Sequence, residues 1–415
     1  MSNKFPKGFL WGTATSAHQV EGNNVYSDTW LMEHLPGSLF AEPSGDGCDH
    51  YHRYPQHIAM LAELGFNAYR FSVEWARVEP EEGYFSLAIL EHYRHMLATC
   101  HEHGLTPFIT FHHFTSPRWL MASGGWESED TPGKFARFCE RVTQHLGDLV
   151  GGACTLNEPN VGALITSMGY LPPAKQMQQA PWWQAAAKML GTTPEKFAPY
   201  MFAVSEHARD IMLAAHRMAY NAIKSSRADF PVGITLALQA IQAGEGGEAY
   251  ANKMRHRLND YFLEAVRGDD FVGVQAYSRL RLGPQGPLPP EPGVELTQMG
   301  YEFWPEALET VIREAHAVAG IPVVVTENGI ATEDDSRRQE YIRRALHGVA
   351  NCLNDGIDVR GYFYWSAFDN YEWTMGYRPR FGLISVDRKT LEPTAKPSAR
   401  WLGQVARANA LPANE

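Results

Sequence analysis

No stretch of this 415-residue chain approaches the roughly 18 uninterrupted apolar residues that a membrane-crossing helix requires. Basic runs are missing too. Lys+Arg number 36 against 47 Asp+Glu, a formal net charge of −11, so a phosphate backbone is excluded as the expected partner and the acidic excess reads as solubility. Cysteine is scarce: Cys48, Cys100, Cys139, Cys154 and Cys352 are odd in number and show no C-x-x-C spacing, which argues against a zinc site, a redox pair or a disulfide framework. The N-terminus runs Met1-Ser2-Asn3-Lys4-Phe5-Pro6-Lys7-Gly8 directly into Phe9-Leu10-Trp11, without the apolar core of a signal peptide, so a cytoplasmic location is expected. No linker, low-complexity segment or short repeat divides the chain, and one domain over residues 1–415 is expected. His101 and His103 lie two apart in a helical stretch and point to different faces, so no metal is expected there. Gly244-Glu245-Gly246-Gly247 lacks the lysine and helix start of a phosphate loop and reads as a turn.

What the chain does have is alternation. Short β-rich runs centre on residues 9–12, 68–73, 106–111, 153–156, 232–236, 271–275, 323–326 and 361–365. Between them, residues 58–64, 87–103, 135–146, 205–223, 304–319 and 337–353 repeat apolar side chains at three and four, the helical period. Strands alternating with helices predict a parallel sheet, and eight strands predict a (β/α)8 barrel. Two segments interrupt the rhythm. Residues 171–200 carry Pro172-Pro173 and Trp182-Trp183, and residues 282–300 are rich in proline and glycine. Both follow strand C-termini, where the loops of a barrel surround its functional mouth.

Two glutamates close apolar runs in sharply ended contexts: Glu158 in Thr155-Leu156-Asn157-Glu158-Pro159 and Glu327 in Val325-Thr326-Glu327-Asn328-Gly329. Proline after one and Asn-Gly after the other stop each strand, which delivers each carboxyl to the rim of the sheet. Either motif alone reads equally well as turn chemistry. Together, two rim carboxyls suit retaining glycoside hydrolysis, which places them about 5 Å apart, one ionised to attack and one protonated to release the leaving group.

The chain resembles glycoside hydrolase family 1, the retaining β-glucosidase and β-galactosidase family. The blocks that carry the resemblance are Phe9-Leu10-Trp11-Gly12, Ala17-His18-Gln19-Val20-Glu21-Gly22, Tyr69-Arg70-Phe71-Ser72, the two glutamate motifs, Tyr364-Trp365-Ser366, Asp369-Asn370-Tyr371-Glu372-Trp373 and Phe381-Gly382-Leu383. The resemblance implies Glu158 as general acid/base, Glu327 as nucleophile, Arg70 as the cation that keeps Glu327 ionised, and Tyr277 as a hydroxyl donor to Glu327. It further implies Gln19, His113, Asn157, Glu372 and Trp373 as the polar wall of a sugar pocket, with Trp365 as its aromatic platform. Two positions depart from the family pattern. Gln275-Ala276-Tyr277 stands where Asn-Tyr-Tyr is common, and Phe114-Thr115 where tryptophan and aspartate are common.

The expected activity is cofactor-free hydrolysis of non-phosphorylated β-D-glucosides or oligosaccharides from the non-reducing end. β-Galactosides and β-fucosides are nearby substrates, because C4 epimers address the same Glu372 and Gln19. A transglycosylase would share every catalytic residue, and a silent sugar-binding barrel would not need both glutamates. The expected partner is a small glycoside, with no nucleic acid and no membrane; the oligomeric state stays open. Trp182-Trp183 admits two readings: a lid over the leaving-group side, or an anchor of the excursion to the barrel.

Overall fold

The computed structural model describes residues 4–227 and 229–412. Eight parallel strands close into a barrel: β1 Leu10–Ala14, β2 Ala68–Ser72, β3 Thr106–His112, β4 Gly152–Asn157, β5 Val232–Ala237, β6 Phe271–Gln275, β7 Val323–Asn328 and β8 Val359–Trp365. Each strand pairs with its neighbour in sequence, and β8 returns to β1 through Leu10↔Gly361 to Ala14↔Trp365. This is a (β/α)8 barrel, as the alternation predicts. The strands read as continuous apolar runs because the barrel interior buries one face and the helices bury the other. All residues of β2, β4, β5, β6 and β7 are buried.

The lower barrel interior is filled by rings. Phe108 of β3 lies 5.5 Å from Phe271 of β6 and 5.3 Å from Phe363 of β8, centroid to centroid. A glycine makes room for them: a Cβ on Gly12 would stand 2.4 Å from the Phe363 ring. The C-terminal ends of the strands are less regular. The β4–β5 register shifts between Cys154 and Asn157, and β7 shifts against β6 between Val325 and Glu327. Such irregularities bend a strand and re-aim the side chain that follows. They occur just below the two glutamates.

The helices start and stop at polar signals. Ser205 accepts from the Ala208 N–H to open the helix Glu206–Ser226, and Asp334 accepts from Ser336 N–H to open Asp335–Asn354. Gly65 and Gly320 end their helices in the left-handed region, at φ 111° and 68°. The helix expected over 58–64 runs from His50 to Leu64, through Pro55. The one expected from residue 304 begins at Ala307, after Pro305. A final helix, Pro397–Ala408, lies outside the stretches read from the sequence and packs against His50–Leu64 and Asp335–Asn354. Among the described residues no helix is long and apolar enough to cross a membrane.

Candidate active site

Arg70 is the hub of the site. It is the third residue of β2, fully buried, and all three nitrogens of its guanidinium donate. Nε reaches Thr110 Oγ1 at 3.0 Å, Nη1 reaches Glu327 Oε1 at 2.7 Å and Thr326 O at 3.3 Å, and Nη2 reaches Asn157 Oδ1 at 2.7 Å. One cation thus ties β2 to β3, β4 and β7 and places its charge against Glu327. Tyr277, two residues past the end of β6, donates its hydroxyl to the other oxygen, Glu327 Oε2, at 2.6 Å. Its own phenol is held well above the ordinary range by burial, then by Glu327 and Glu158, so it stays a donor.

Glu158 follows β4 directly. Its backbone sits in the left-handed region at φ 49°, and its N–H donates to Thr235 O at 2.8 Å. Holding a non-glycine residue there costs about 1–3 kcal/mol, a cost that clusters at functional sites. Burial raises the Glu158 carboxyl well above the usual range, the charge of Glu327 raises it further, and Arg70 opposes them. Glu327 is lifted less: burial raises it, while Arg70, Tyr277 and Gln275 pull it back. The two carboxyls therefore differ in kind. The surroundings of Glu158 favour the proton more strongly, and those of Glu327 offer more partners to a negative charge.

The glycine of Glu327-Asn328-Gly329 does more than end a strand. A Cβ on Gly329 would lie 1.9 Å from the Trp365 carbonyl oxygen, so the β7 and β8 ends meet there without a side chain between them. Trp365 closes β8 and donates Nε1–H to Glu372 Oε1 at 3.3 Å. Glu372 is buried, and its carboxyl is held well above the usual range by burial, with Glu327 and Asp369 adding to it. The loop that carries Glu372 and Trp373 is fixed from behind by Asp369, which accepts from Gly382 N–H at 2.8 Å and from Lys396 Nζ at 2.9 Å.

His113 lies nearly parallel to the Trp365 and Trp373 indoles, at 5.6 and 6.3 Å between centroids. Burial, then Arg70 and His112, holds its imidazole well below 6.5, so it is neutral, and its Nδ1 is buried without a protein partner. Trp373 also stacks on His18 at 5.6 Å. Gln19 is placed at the same mouth, yet its amide is largely engaged. Its Oε1 accepts from Ser16 Oγ at 2.6 Å, and its Nε2 donates to Tyr371 O at 2.7 Å and Asn370 Oδ1 at 3.4 Å. It joins the loops after β1 and β8 and keeps only spare acceptor capacity for a ligand.

Several features lie beyond the sequence reading. Asn370 Nδ2 and the Tyr200 hydroxyl are buried without protein partners, and Tyr200 is close enough to Glu158 for its phenol to be raised by that carboxylate as well as by burial. Asn370 stood within a matched block, whereas nothing in the sequence around Tyr200 sets it apart. Thr115 turns out to serve a neighbour: its hydroxyl donates to Glu74 Oε2 at 2.7 Å, and Glu74 caps the short helix Trp75–Val78. Trp182 and Trp183 are only 4% exposed. Trp183 packs on Phe197 at 4.6 Å and on Phe202 at 5.5 Å, and donates to Pro194 O at 2.9 Å. Both rings are thus packed within the excursion, which favours the anchoring reading. A cavity of about 290 Å³ lies under that excursion, lined by Leu171, Met177, Trp183 and Phe197 among others, and contains none of the rim residues described above.

The family model for glycosyl hydrolase family 1 matches residues 1–281 and 257–411. The chain belongs to that family. A solved β-glycosidase, BGL167, superposes with a TM-score of 0.96 at 59% identity, over 99% of both chains. β-Glucosidase A of Thermotoga maritima is 29% identical over 98% of this chain and 99% of its own length. The bifunctional β-D-glucosidase/β-D-fucosidase of Bifidobacterium breve is 30% identical over 97% and 98%. This family 1 chain is accordingly a glycoside hydrolase of the β-glucosidase kind. Asn157, Glu158, Tyr277, Glu327, Trp365 and Glu372 stand at the C-terminal rim of its barrel or on the loops just beyond it, and Arg70 reaches them from the middle of β2.

Proposed function

We propose that this hydrolase is an exo-acting, retaining β-glucosidase, with residues 1–415 forming one catalytic unit. The observation that carries the reading is the unequal treatment of two buried carboxyls: Glu327 is met by Arg70 and Tyr277 at 2.7 and 2.6 Å, whereas Glu158 has burial and a neighbouring negative charge. The ionised Glu327 attacks the anomeric carbon and forms a glycosyl ester as the C1–O bond breaks. Glu158 gives its proton to the departing oxygen. Esterification removes the charge on Glu327, so Glu158, now a carboxylate, becomes the base that takes a proton from water as that water attacks C1 and frees Glu327. Tyr277 and Arg70 hold the nucleophile's two oxygens throughout, and neither needs to change protonation state.

Two displacements at C1 restore the starting configuration. In proton NMR of early time points, the first sugar to appear is expected to be the β-anomer, with the α-anomer growing in only by mutarotation. An α-anomer at the outset would refute double displacement.

His113, Asn157, Glu372 and Trp373, with the remaining acceptor of Gln19, form the sugar wall, and Trp365 provides its apolar face. The preferred sugar is non-phosphorylated. Glu372 has no cation to offer a phosphate, since the charges acting on it, Glu327 and Asp369, are themselves acidic. Burying a phosphate there would leave it uncompensated, a cost of several kcal/mol. On a panel of aryl glycosides, the glucoside is expected to give the highest kcat/KM and the 6-phosphoglucoside one lower by about 100-fold or more. Comparable values for the two would remove Glu372 from its assigned place. The dual name of the B. breve relative supports including the β-fucoside among the good substrates.

A further inference from the structure

The upper layer of the barrel interior draws Arg70 from β2, Asn157 from β4 and Gln275 from β6, the alternate-strand layering of this fold. Asn157 Oδ1 accepts two hydrogen bonds, from Arg70 Nη2 at 2.7 Å and from Gln275 Nε2 at 2.9 Å. An amide presents its oxygen to one side and its nitrogen to the other, so two donors on the oxygen fix which way the group faces. Asn157 Nδ2 is left buried without a protein partner. Gln275 is itself fully buried, and its backbone pairs with Glu327 across the β6–β7 ladder. Its side chain reaches past β5 to β4, a span that suits the long glutamine stem. The residue therefore touches the neighbour of Glu158 on one side and, on the other, Glu327, whose carboxyl it helps to pull down.

We propose that Gln275 is a positioning residue that acts through Asn157: its amide N–H fixes the Asn157 side chain so that Nδ2 is presented to the bound sugar. The inference rests on the β-glucosidase reading above. A buried donor without a protein partner is free to meet an acceptor on a ligand, so Asn157 Nδ2 contributes most when the sugar is in place. Arg70 alone holds Oδ1 at one point and leaves the amide plane free to tilt. A second donor removes that freedom. Because sugar hydrogen bonds strengthen as the oxocarbenium-like transition state forms, misalignment reduces kcat more than it raises KM.

A double-mutant cycle tests this. Gln275→Met keeps the stem and deletes the amide, Asn157→Ala deletes the group it orients, and kcat, KM and melting temperature are measured for both single variants, the double variant and the parent on an aryl β-glucoside. In the parent background Gln275→Met is expected to lower kcat/KM about 10-fold, mainly through kcat. In the Asn157→Ala background the same change is expected to cost no more than about 3-fold, because the group it orients is gone and only its hydrogen bond to Glu327 remains to be lost. Equal factors in the two backgrounds would overturn the inference, as would a loss explained wholly by a smaller folded fraction. Gln275→Leu is read in the same way if the methionine variant folds poorly. A parent enzyme that cleaves no β-glucoside would sink the functional reading and this inference with it; an active parent with multiplicative factors would sink the inference alone.

Discussion

Glu158→Ala is expected to cut turnover of an alkyl β-glucoside by about two to four orders of magnitude while leaving the glycosylation step with a dinitrophenyl β-glucoside nearly intact. The difference follows from what the leaving group needs. An alkoxide is too basic to depart without a proton, whereas dinitrophenolate departs unaided. The proton in question is the one that burial and the charge of Glu327 keep on Glu158. With the activated substrate the reaction should stall after glycosylation, since the same residue is the proposed base for water, and a burst of dinitrophenolate followed by a slow steady rate is expected. Azide needs no base. It should enter the space vacated by the carboxyl, restore turnover of the activated substrate and give the β-glycosyl azide. Equal losses on both substrates, without the azide product, would remove Glu158 from the acid/base role.

The barrel strands were the most legible part of the chain because each is buried on both faces and so reads as an apolar run with a sharp end. That sharp end is also why the rim residues could be read. In a barrel, the last residue of a strand has a known place in space, so Glu158 after β4 and Glu327 near the end of β7 could be brought to one rim from their positions, whereas Tyr277 was legible only through the family resemblance. Helix beginnings were less clear. The first turn of His50–Leu64 is His50-Tyr51-His52-Arg53, polar and followed by Pro55, so its apolar period emerges only near Ile58.

Loop side chains gave the least away, since their partners come from other loops. Nothing local distinguishes a tryptophan pair that covers a ligand from one that packs on Phe197 and Phe202. Thr115 stood out only as a departure from the family pattern, and its hydroxyl supports Glu74. Gln19 stands in a matched block, yet that its amide also joins two loops is visible only in the folded chain. Gln275 stood out in the sequence only as a departure from a pattern. Its hydrogen bond to Asn157 depends on two strands separated by a third, a relation that appears only once the barrel closes.

Arg70→Met should be the most damaging change outside the two glutamates, and its signature should be a shift along the pH axis as well as a fall in rate. Arg70 is fully buried and is the first of the groups that pull the Glu327 carboxyl down against burial. Removing one member of a buried ion pair costs about 3–5 kcal/mol, equivalent to about two to four orders of magnitude if expressed wholly in kcat/KM. Glu327 can relieve part of that cost by taking up a proton, which removes the nucleophile. On the proposed roles, the acid limb of the parent's kcat/KM profile is expected to report loss of the Glu327 charge, and the basic limb loss of the Glu158 proton. Arg70 lowers both carboxyls, so its loss raises both and moves both limbs of the coupled pair to higher pH, the acid limb further because Arg70 contacts Glu327 directly at 2.7 Å. Arg70→Lys retains a charge but not the planar fork that serves Thr110, Thr326, Glu327 and Asn157 together, and an intermediate loss with a smaller shift is expected. If Arg70→Met kept its acid limb in place and its kcat/KM within a few-fold of the parent, the charge on Glu327 would have to be maintained by Tyr277 and Gln275 alone, and the assignment of Arg70 as the counter-charge of the nucleophile would fall.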